Sequence, residues 1–261
     1  MILAIDAGNS TIAFGLINGD SVVGHWRLSS KSVWTSDELL LHLEGLLRIG
    51  GADIAAVEQV VMSSVVPALT NLIRDGVRKL FDSEPVVVSA ALPVPVKVVT
   101  DHPGELGGDL LANAVAGHSL AGGAAIVVDF GTALTFTAVD AKARVRGAAI
   151  APGLSTGFRG LVAHTASLPM VELSDPGRFI GTDTTSALRS GMVNGYAGLV
   201  DRIVGGMREE LGGTVTAFGT GGEVAQVAPL CRQIDRVEPW LTLRGLAEIG
   251  RMVSGARDQS T

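Results

Sequence analysis

The feature that most restricts the fold is a short apolar segment ending in an acid and a glycine, which occurs twice, about half a chain apart. Ile2 to Ile5 runs into Asp6-Ala7-Gly8-Asn9-Ser10-Thr11, and Ala125 to Val128 runs into Asp129-Phe130-Gly131-Thr132-Ala133-Leu134. Two more strand-like segments follow each copy. After the first come Ile12 to Ile17 and Ser21 to Leu28, around the turn Asn18-Gly19-Asp20; after the second come Ala133 to Val139 and Val145 to Ile150, around a turn at Ala141 to Arg144. Self-similarity at this distance predicts a duplicated domain and not a solenoid, whose repeats run roughly 20–50 residues.

The segments between the copies complete the pattern. Leu39, Leu40, Leu43, Leu46 and Leu47 recur at helical spacing and predict a helix over Thr35 to Ile49, with Ser36 as its N-cap. Val57 to Ser63 and Pro85 to Val88 read as buried strands flanking a helix from Pro67 to Phe81. The second half reads as a helix over Thr184 to Leu211, a strand over Thr214 to Phe218, a glycine turn, and a final helix from Thr242 to about Val253. The expected architecture is α/β, two βββαβα-like halves with a cleft between them. The halves are 1–120 and 121–261, with Gly122-Gly123 as the punctuation, and order is not expected in the polar tail Gly255 to Thr261.

Composition narrows the function classes. With 47% hydrophobic and 18% charged residues, the chain can bury a substantial core, and disorder is excluded as a general reading. A net charge of −6 argues against broad nucleic-acid binding, which needs a basic face to neutralise phosphates. The single cysteine, Cys231, allows no intrachain disulfide, and no apolar run reaches the ~18 residues of a membrane span. Asp6 interrupts the apolar start, so there is no signal-peptide pattern and the expected compartment is the cytoplasm.

The duplicated motif carries chemistry as well as fold. A glycine turn between two strands can aim backbone N–H groups at a phosphate, and Asn9, Ser10 and Thr11 can bond its oxygens. Asp6 at the strand end can hold a hydrated Mg2+. A single copy would be equally at home as an ordinary hairpin with Asx-type turn residues; the second, at Asp129, Gly131 and Thr132, favours phosphate binding. Gly219-Thr220-Gly221-Gly222 follows a third apolar strand, where glycine would let backbone approach a flat adenine or ribose.

These three elements in this order resemble the actin, sugar kinase and Hsp70 superfamily, whose members bind ATP between duplicated actin/ribonuclease H-like halves. Further motifs narrow the resemblance to type III pantothenate kinases: Ser63-Ser64-Val65-Val66-Pro67, Asp101-x-Pro103-x-Glu-Leu-Gly107-Gly108-Asp109, Val127 to Ala133, Ile150-Ala151-Pro152-Gly153 and Leu241-Thr242-Leu243-x-Gly245-Leu246. It extends from Met1 to about Val253. The resemblance implies ATP-dependent phosphorylation of pantothenate, the first step of coenzyme A biosynthesis, by a homodimer that uses Mg2+ and a monovalent cation, K+ or NH4+. It makes Asp109 the general base and Asp129 the monovalent-cation ligand. It gives Asp6, Ala7, Gly8, Asn9, Ser10, Thr11, Ile12, Ala13, Thr132, Gly221 and Gly222 to ATP, and Gly107, Gly108, Asp109, Leu110 and Thr184 to pantothenate. Read locally, Asp109 is also an N-cap for a helix beginning at Leu110.

Three positions depart from the family pattern: Leu110 where arginine follows the base, Thr137 where a carboxylate is usual, and Thr100 where tyrosine is common. His102, where asparagine is frequent, receives no role. Two other readings remain beside the pantothenate kinase: a catalytically weak paralogue with a binding or regulatory role, such as a transcription accessory factor, and a kinase for another small hydroxylated acid or sugar.

Overall fold

The computed structural model describes residues 1–258 and divides them into two compact units. One contains residues 1–116 and the segment from Trp240 on; the other is Gly117–Pro239. The division falls inside a helix, a few residues before the expected Gly122-Gly123.

In the first unit, β1 (Ile2–Ala7), β2 (Thr11–Asn18) and β3 (Ser21–Ser29) form an antiparallel meander. Next to β1 lies β4 (Gln59–Ser64), parallel to it, and next to β4 lies β5 (Val86–Val87), so the order is β3-β2-β1-β4-β5. Alternate residues of the central strands, Leu3, Ile5, Ala7, Val60 and Met62, pack on α1 (Ser36–Ile49) and α2 (Pro67–Phe81) through Leu39, Leu43, Leu47, Leu69, Ile73 and Val77. Strands covered on both faces read as continuous apolar runs, which is why Ile2 to Ile5 lacks polar alternation.

The cap of α1 is Thr35 and not the expected Ser36. Thr35 Oγ1 accepts the Glu38 N–H at 3.2 Å while the Glu38 carboxylate accepts the Thr35 N–H at 2.9 Å. This reciprocal box needs Glu or Gln three residues after the cap, and only Thr35 has one.

The C-terminal helix (Leu241–Asp258), expected in the second half, packs instead on β1, β2 and β4 of the first unit. A sheet face must be covered, and α1 and α2 leave the Ala4 and Val61 face to this helix. Beside it runs α3 (Gly108–Ala121). Where the two helices cross, a side chain at Gly245 would collide with the Ala112 carbonyl, and Thr242 Oγ1 donates to Asn113 Oδ1 at 2.8 Å. The helix continues through Gly255 to Asp258, four residues expected in a disordered tail; residues 259–261 of that tail lie outside the described residues.

The second unit repeats the plan. Here β6 (Ala124–Phe130), β7 (Ala133–Val139) and β8 (Arg144–Pro152) form the meander, and β9 (Val215–Thr220) and β10 (Arg236–Val237) complete the order β10-β9-β6-β7-β8. Even the register shift recurs, at Leu16/Ile17 in the first meander and Ala138/Val139 in the second. The helices are α4 (Leu154–Ala163), α5 (Thr184–Arg189), α6 (Gly195–Leu211) and a single turn, α7 (Val224–Val227). A π-type stretch, Ser190–Asn194, interrupts the expected continuous helix from Thr184 to Leu211. Ile126, Val128, Phe130, Phe136, Val200 and Val204 form the core. β9 extends through Gly219 and Thr220, so the expected glycine turn is confined to Gly221 and Gly222.

The helix crossing yields a stability prediction. Gly245→Ala should cost about 1–3 kcal/mol because backbone, not a movable side chain, opposes the methyl group. Gly45→Ala, inside α1 with nothing within 4 Å, should be neutral or stabilising by up to ~1 kcal/mol. Calorimetric melting of both variants should show opposite shifts.

Candidate active site

Asp6 is the penultimate residue of β1, on the opposite face from Leu3 and Ile5, flanked in register by Ala13 of β2 and Ser63 of β4. The wholly buried Ser63 donates its hydroxyl to Asp6 Oδ1 at 2.6 Å. Beyond the strand, the Gly8 N–H closes the turn on the Thr11 carbonyl at 3.0 Å, and Ser10 O accepts the Ser30 N–H at 3.1 Å. Asn9 stands exposed at the tip, while Ala7 and Ile12 point into the core. Of the residues Asp6 to Ala13, those two serve packing.

The Gly107-Gly108-Asp109 run lies against the same strand end. The Leu111 N–H already bonds Gly107 O at 3.0 Å, so α3 begins at Gly108 and Asp109 sits within its first turn; it is not the N-cap of a helix starting at Leu110. Both glycines are required by space. A side chain at Gly107 would collide with Asp109 Oδ1, and one at Gly108 would stand 2.7 Å from the Val88 carbonyl and 3.2 Å from Ser63 Cβ. Asp109 is half-buried, yet its Oδ1 is sealed from solvent and has no hydrogen-bond partner. Burial pushes its carboxyl above the ordinary value, with the backbone N–H groups of Leu110 and of Asp109 itself pulling partly back. Leu110 is 9% exposed and belongs to the core. Asp6, Ser63, Gly107, Gly108 and Asp109 thus gather around one strand end of the first unit.

The second unit has the corresponding cluster. Asp129 is flanked in register by Thr135 and Thr220, and the Gly131 N–H closes its turn on the Ala133 carbonyl at 3.2 Å. This loop is one residue shorter than the first, since Asp6 faces Ala13 whereas Asp129 faces Thr135. The residue-by-residue match of the two motifs therefore slips after the glycine. Gly221 has φ +97°, and a side chain there would collide with Asp129 Oδ1 and stand 2.7 Å from Phe130 N. Its glycine is explained by this approach of the Gly221-Gly222 turn to the end of β6.

Residues that sequence reasoning left without a role complete this cluster. Thr132 O accepts the Gly153 N–H at 3.0 Å and the Thr156 hydroxyl at 2.8 Å. Glu223, next after the diglycine, donates its N–H to Phe130 O at 3.0 Å and accepts the Ser155 N–H at 3.3 Å. Tyr196 donates to Pro152 O at 3.0 Å, and burial followed by the Glu223 charge pushes its phenol up. Only the position of Glu223 beside Gly221-Gly222 could have drawn attention to it in the sequence. Thr184 stands elsewhere along the chain, exposed as the first residue of α5, which Asp183 caps by accepting the Ser186 N–H at 2.9 Å. A cavity of about 510 Å3 between α4, residues 170–175 and the α7 region contains none of the expected site residues, and Ser155 is its link to the Thr132 cluster.

Two departures from the family pattern leave a mark. Thr137 is wholly buried and Thr100 half-buried; in each, Oγ1 is shut from solvent without a partner.

The family model described as type III pantothenate kinase matches residues 2–205. The chain is 42% identical to the type III pantothenate kinase of Thermobifida fusca over 253 residues, covering 95% of this chain and 98% of that protein. To the one from Moorella thermoacetica it is 40% identical over 246 residues, covering 94% and 97%. Among solved structures it resembles a Baf family protein from Campylobacter jejuni, with TM-score 0.60, 16% identity and coverage of 97% and 99%. It also resembles the activator of 2-hydroxyisocaproyl-CoA dehydratase from Clostridium difficile, with TM-score 0.56, 13% identity and coverage of 100% and 97%. These structural likenesses bear on the fold alone, and the fold is the duplicated actin/hexokinase-like α/β architecture.

The partnerless hydroxyl of Thr137 predicts a gain from its removal. Thr137→Val keeps the shape and deletes the unpaired group, so it should raise stability by about 1 kcal/mol; Thr137→Asp, placing a carboxylate where no donor waits, should lower it by more. Urea titration of the three proteins checks the order.

Proposed function

Because the chain belongs to the type III pantothenate kinase family, we propose that it phosphorylates pantothenate with ATP to give 4′-phosphopantothenate, the first step of coenzyme A biosynthesis. The observation that carries this reading is Asp109, whose buried Oδ1 lacks a partner and so suits a group that receives the proton of an alcohol. A carboxyl held above its ordinary value is also a stronger base, nearer the operating pH.

In this reading ATP supplies the γ-phosphoryl group and Mg2+ offsets its charge. Asp6 would hold the hydrated metal, and the turn Gly8 to Ser10, with Asn9 at its exposed tip, would take the phosphates. Thr132, Gly221 and Gly222 also contact the nucleotide. Asp129, whose carboxylate oxygen is backed by the Gly131 and Gly221 backbone, offers the hard oxygen donor that K+ or NH4+ needs. Gly107, Gly108, Leu110 and Thr184 bind the acceptor, Leu110 by apolar contact only. Asp109 takes the hydroxyl proton as the phosphoryl group arrives. In this reading the enzyme works in the cytoplasm.

The active form in this reading is a homodimer joined through the second unit, around 156–166 and 184–205. Support comes from Phe179 and Ile180, which are 81% and 80% exposed. Moreover, side chains built at Gly191, Gly195 and Gly198 would meet nothing within 4 Å among the described residues, so these glycines are not serving a close approach there. Light scattering should give twice the chain mass, and Phe179→Glu should shift it toward the monomer; a monomeric wild type would remove the dimer.

Purified protein with ATP, Mg2+, K+ and pantothenate should form phosphopantothenate. Asp109→Asn should lower the rate by roughly 10² to 10⁴ while staying folded. Its stability has a defined sign. The raised carboxyl favours folding below its ordinary value near about 4, and that contribution is lost as pH rises through the folded value. Asp109→Asn should therefore melt at or above the wild-type temperature at pH 7, with the advantage gone below about pH 4. No phosphoryl transfer by the wild type above the Asp109→Asn control would overturn the kinase reading.

A further inference from the structure

Ser63 lies beside Asp6 in the parallel β1–β4 register, wholly buried, and its hydroxyl donates to Asp6 Oδ1 at 2.6 Å. That length is typical of an O–H donor to an ionised carboxylate. The terminal torsion of a carboxylate is broad and only roughly two-fold. A donor fixed on a central strand narrows that range and helps set the plane in which the carboxylate faces its surroundings. Ser63 also touches the acceptor side, since its Cβ is 3.2 Å from where a side chain at Gly108 would begin, one residue before Asp109.

The second unit carries a hydroxyl residue at the equivalent place. In the second unit the position beside the strand-end acid is Thr220, in register with Asp129 and 1% exposed. The neighbours on either side have diverged, Met62 and Ser64 in one strand against Gly219 and Gly221 in the other. A hydroxyl residue beside the strand-end acid in the parallel register is common to both units.

We propose that Ser63 is a positioning residue for the kinase, orienting the Asp6 carboxylate toward the metal-bound nucleotide. The inference rests on the reading of Asp6 given above, and its readout is binding, independent of the acceptor.

The test is a double-mutant cycle on Ser63 and Asp6, measuring by calorimetry the affinity for a non-hydrolysable ATP analogue with and without Mg2+. Ser63→Ala should weaken Mg2+-dependent binding about tenfold, the loss of one charge-assisted hydrogen bond, with little change when Mg2+ is absent. Asp6→Asn should weaken it at least as much. The double variant should be no weaker than Asp6→Asn alone, because Ser63 acts only through that carboxylate. Full additivity, or unchanged binding by Ser63→Ala while Asp6→Asn is weakened, would overturn the role of Ser63 and leave the nucleotide site standing. Unchanged binding by Asp6→Asn, or no Mg2+-dependent binding by the wild type, would overturn both. If Ser63→Ala does not fold, as judged by melting, Ser63→Cys, close in size with a weak donor, enters the cycle with the same criteria.

Discussion

A carboxylate set at the end of a strand sealed on both faces is the constraint on which this structure turns. Leu3, Ala4 and Ile5 have no exposure at all, and one residue later the chain carries Asp6. Such an acid persists only where donors meet it, and here one donor comes from the neighbouring parallel strand. Parallel pairing in turn demands a crossover, which α1 supplies between β3 and β4, and parallel strands demand cover on both faces. The C-terminal helix provides the second cover with α3 beside it, and the glycines at their crossing and at the start of α3 follow from close approaches at those points. In the second unit Asp129 likewise stands at a strand end beside a hydroxyl residue, Thr220, of the neighbouring parallel strand.

What was legible in the sequence was whatever depends on residues near one another in the chain. The first two strands of each meander announce themselves by local apolar runs, and the helix from Pro67 to Phe81 by its proline start and helical spacing. The repeat of two motifs, each flanked by its meander, was enough to predict duplication. The misplaced cap belongs to the same class, because Thr35 and Glu38 stand at capping-box spacing and Ser36 has Leu39 at that distance instead. Features that depend on pairing were hidden. The return of the last helix to the first unit, the one-residue difference between the two motif loops, and the use of Ser63 by Asp6 all require knowing which strand lies beside which.

The two glycine pairs make the same distinction. Gly221 was read as clearance for a flat ligand, yet its left-handed backbone and the Asp129 and Phe130 atoms behind it already exclude any side chain. Gly107 and Gly108 were assigned to the acceptor through resemblance, and their neighbours in space turn out to be Asp109, Val88 and Ser63. A glycine that shapes a site from behind and one that touches a ligand leave the same trace in a sequence. Only the atoms beyond the missing Cβ separate them.

The change at Leu110 acquires a physical meaning once Asp109 is seen in place. An arginine beside the base would bring a cation to within reach of the carboxylate and lower its proton affinity, while also offering a fork of donors to an anionic acceptor. Leucine does neither. It is nearly buried, it adds apolar surface to the start of α3, and no charged side chain counters the burial that raises the Asp109 carboxyl. In the proposed reaction, leucine here would therefore give up electrostatic grip on the acceptor and leave the acid that takes its proton more basic. Those two quantities enter catalysis differently, the first through acceptor affinity and the second through the proton transfer itself. With leucine at this place the chain still holds Asp109 half-buried, its Oδ1 shut from solvent without a partner, which is the group that the proposed transfer step needs.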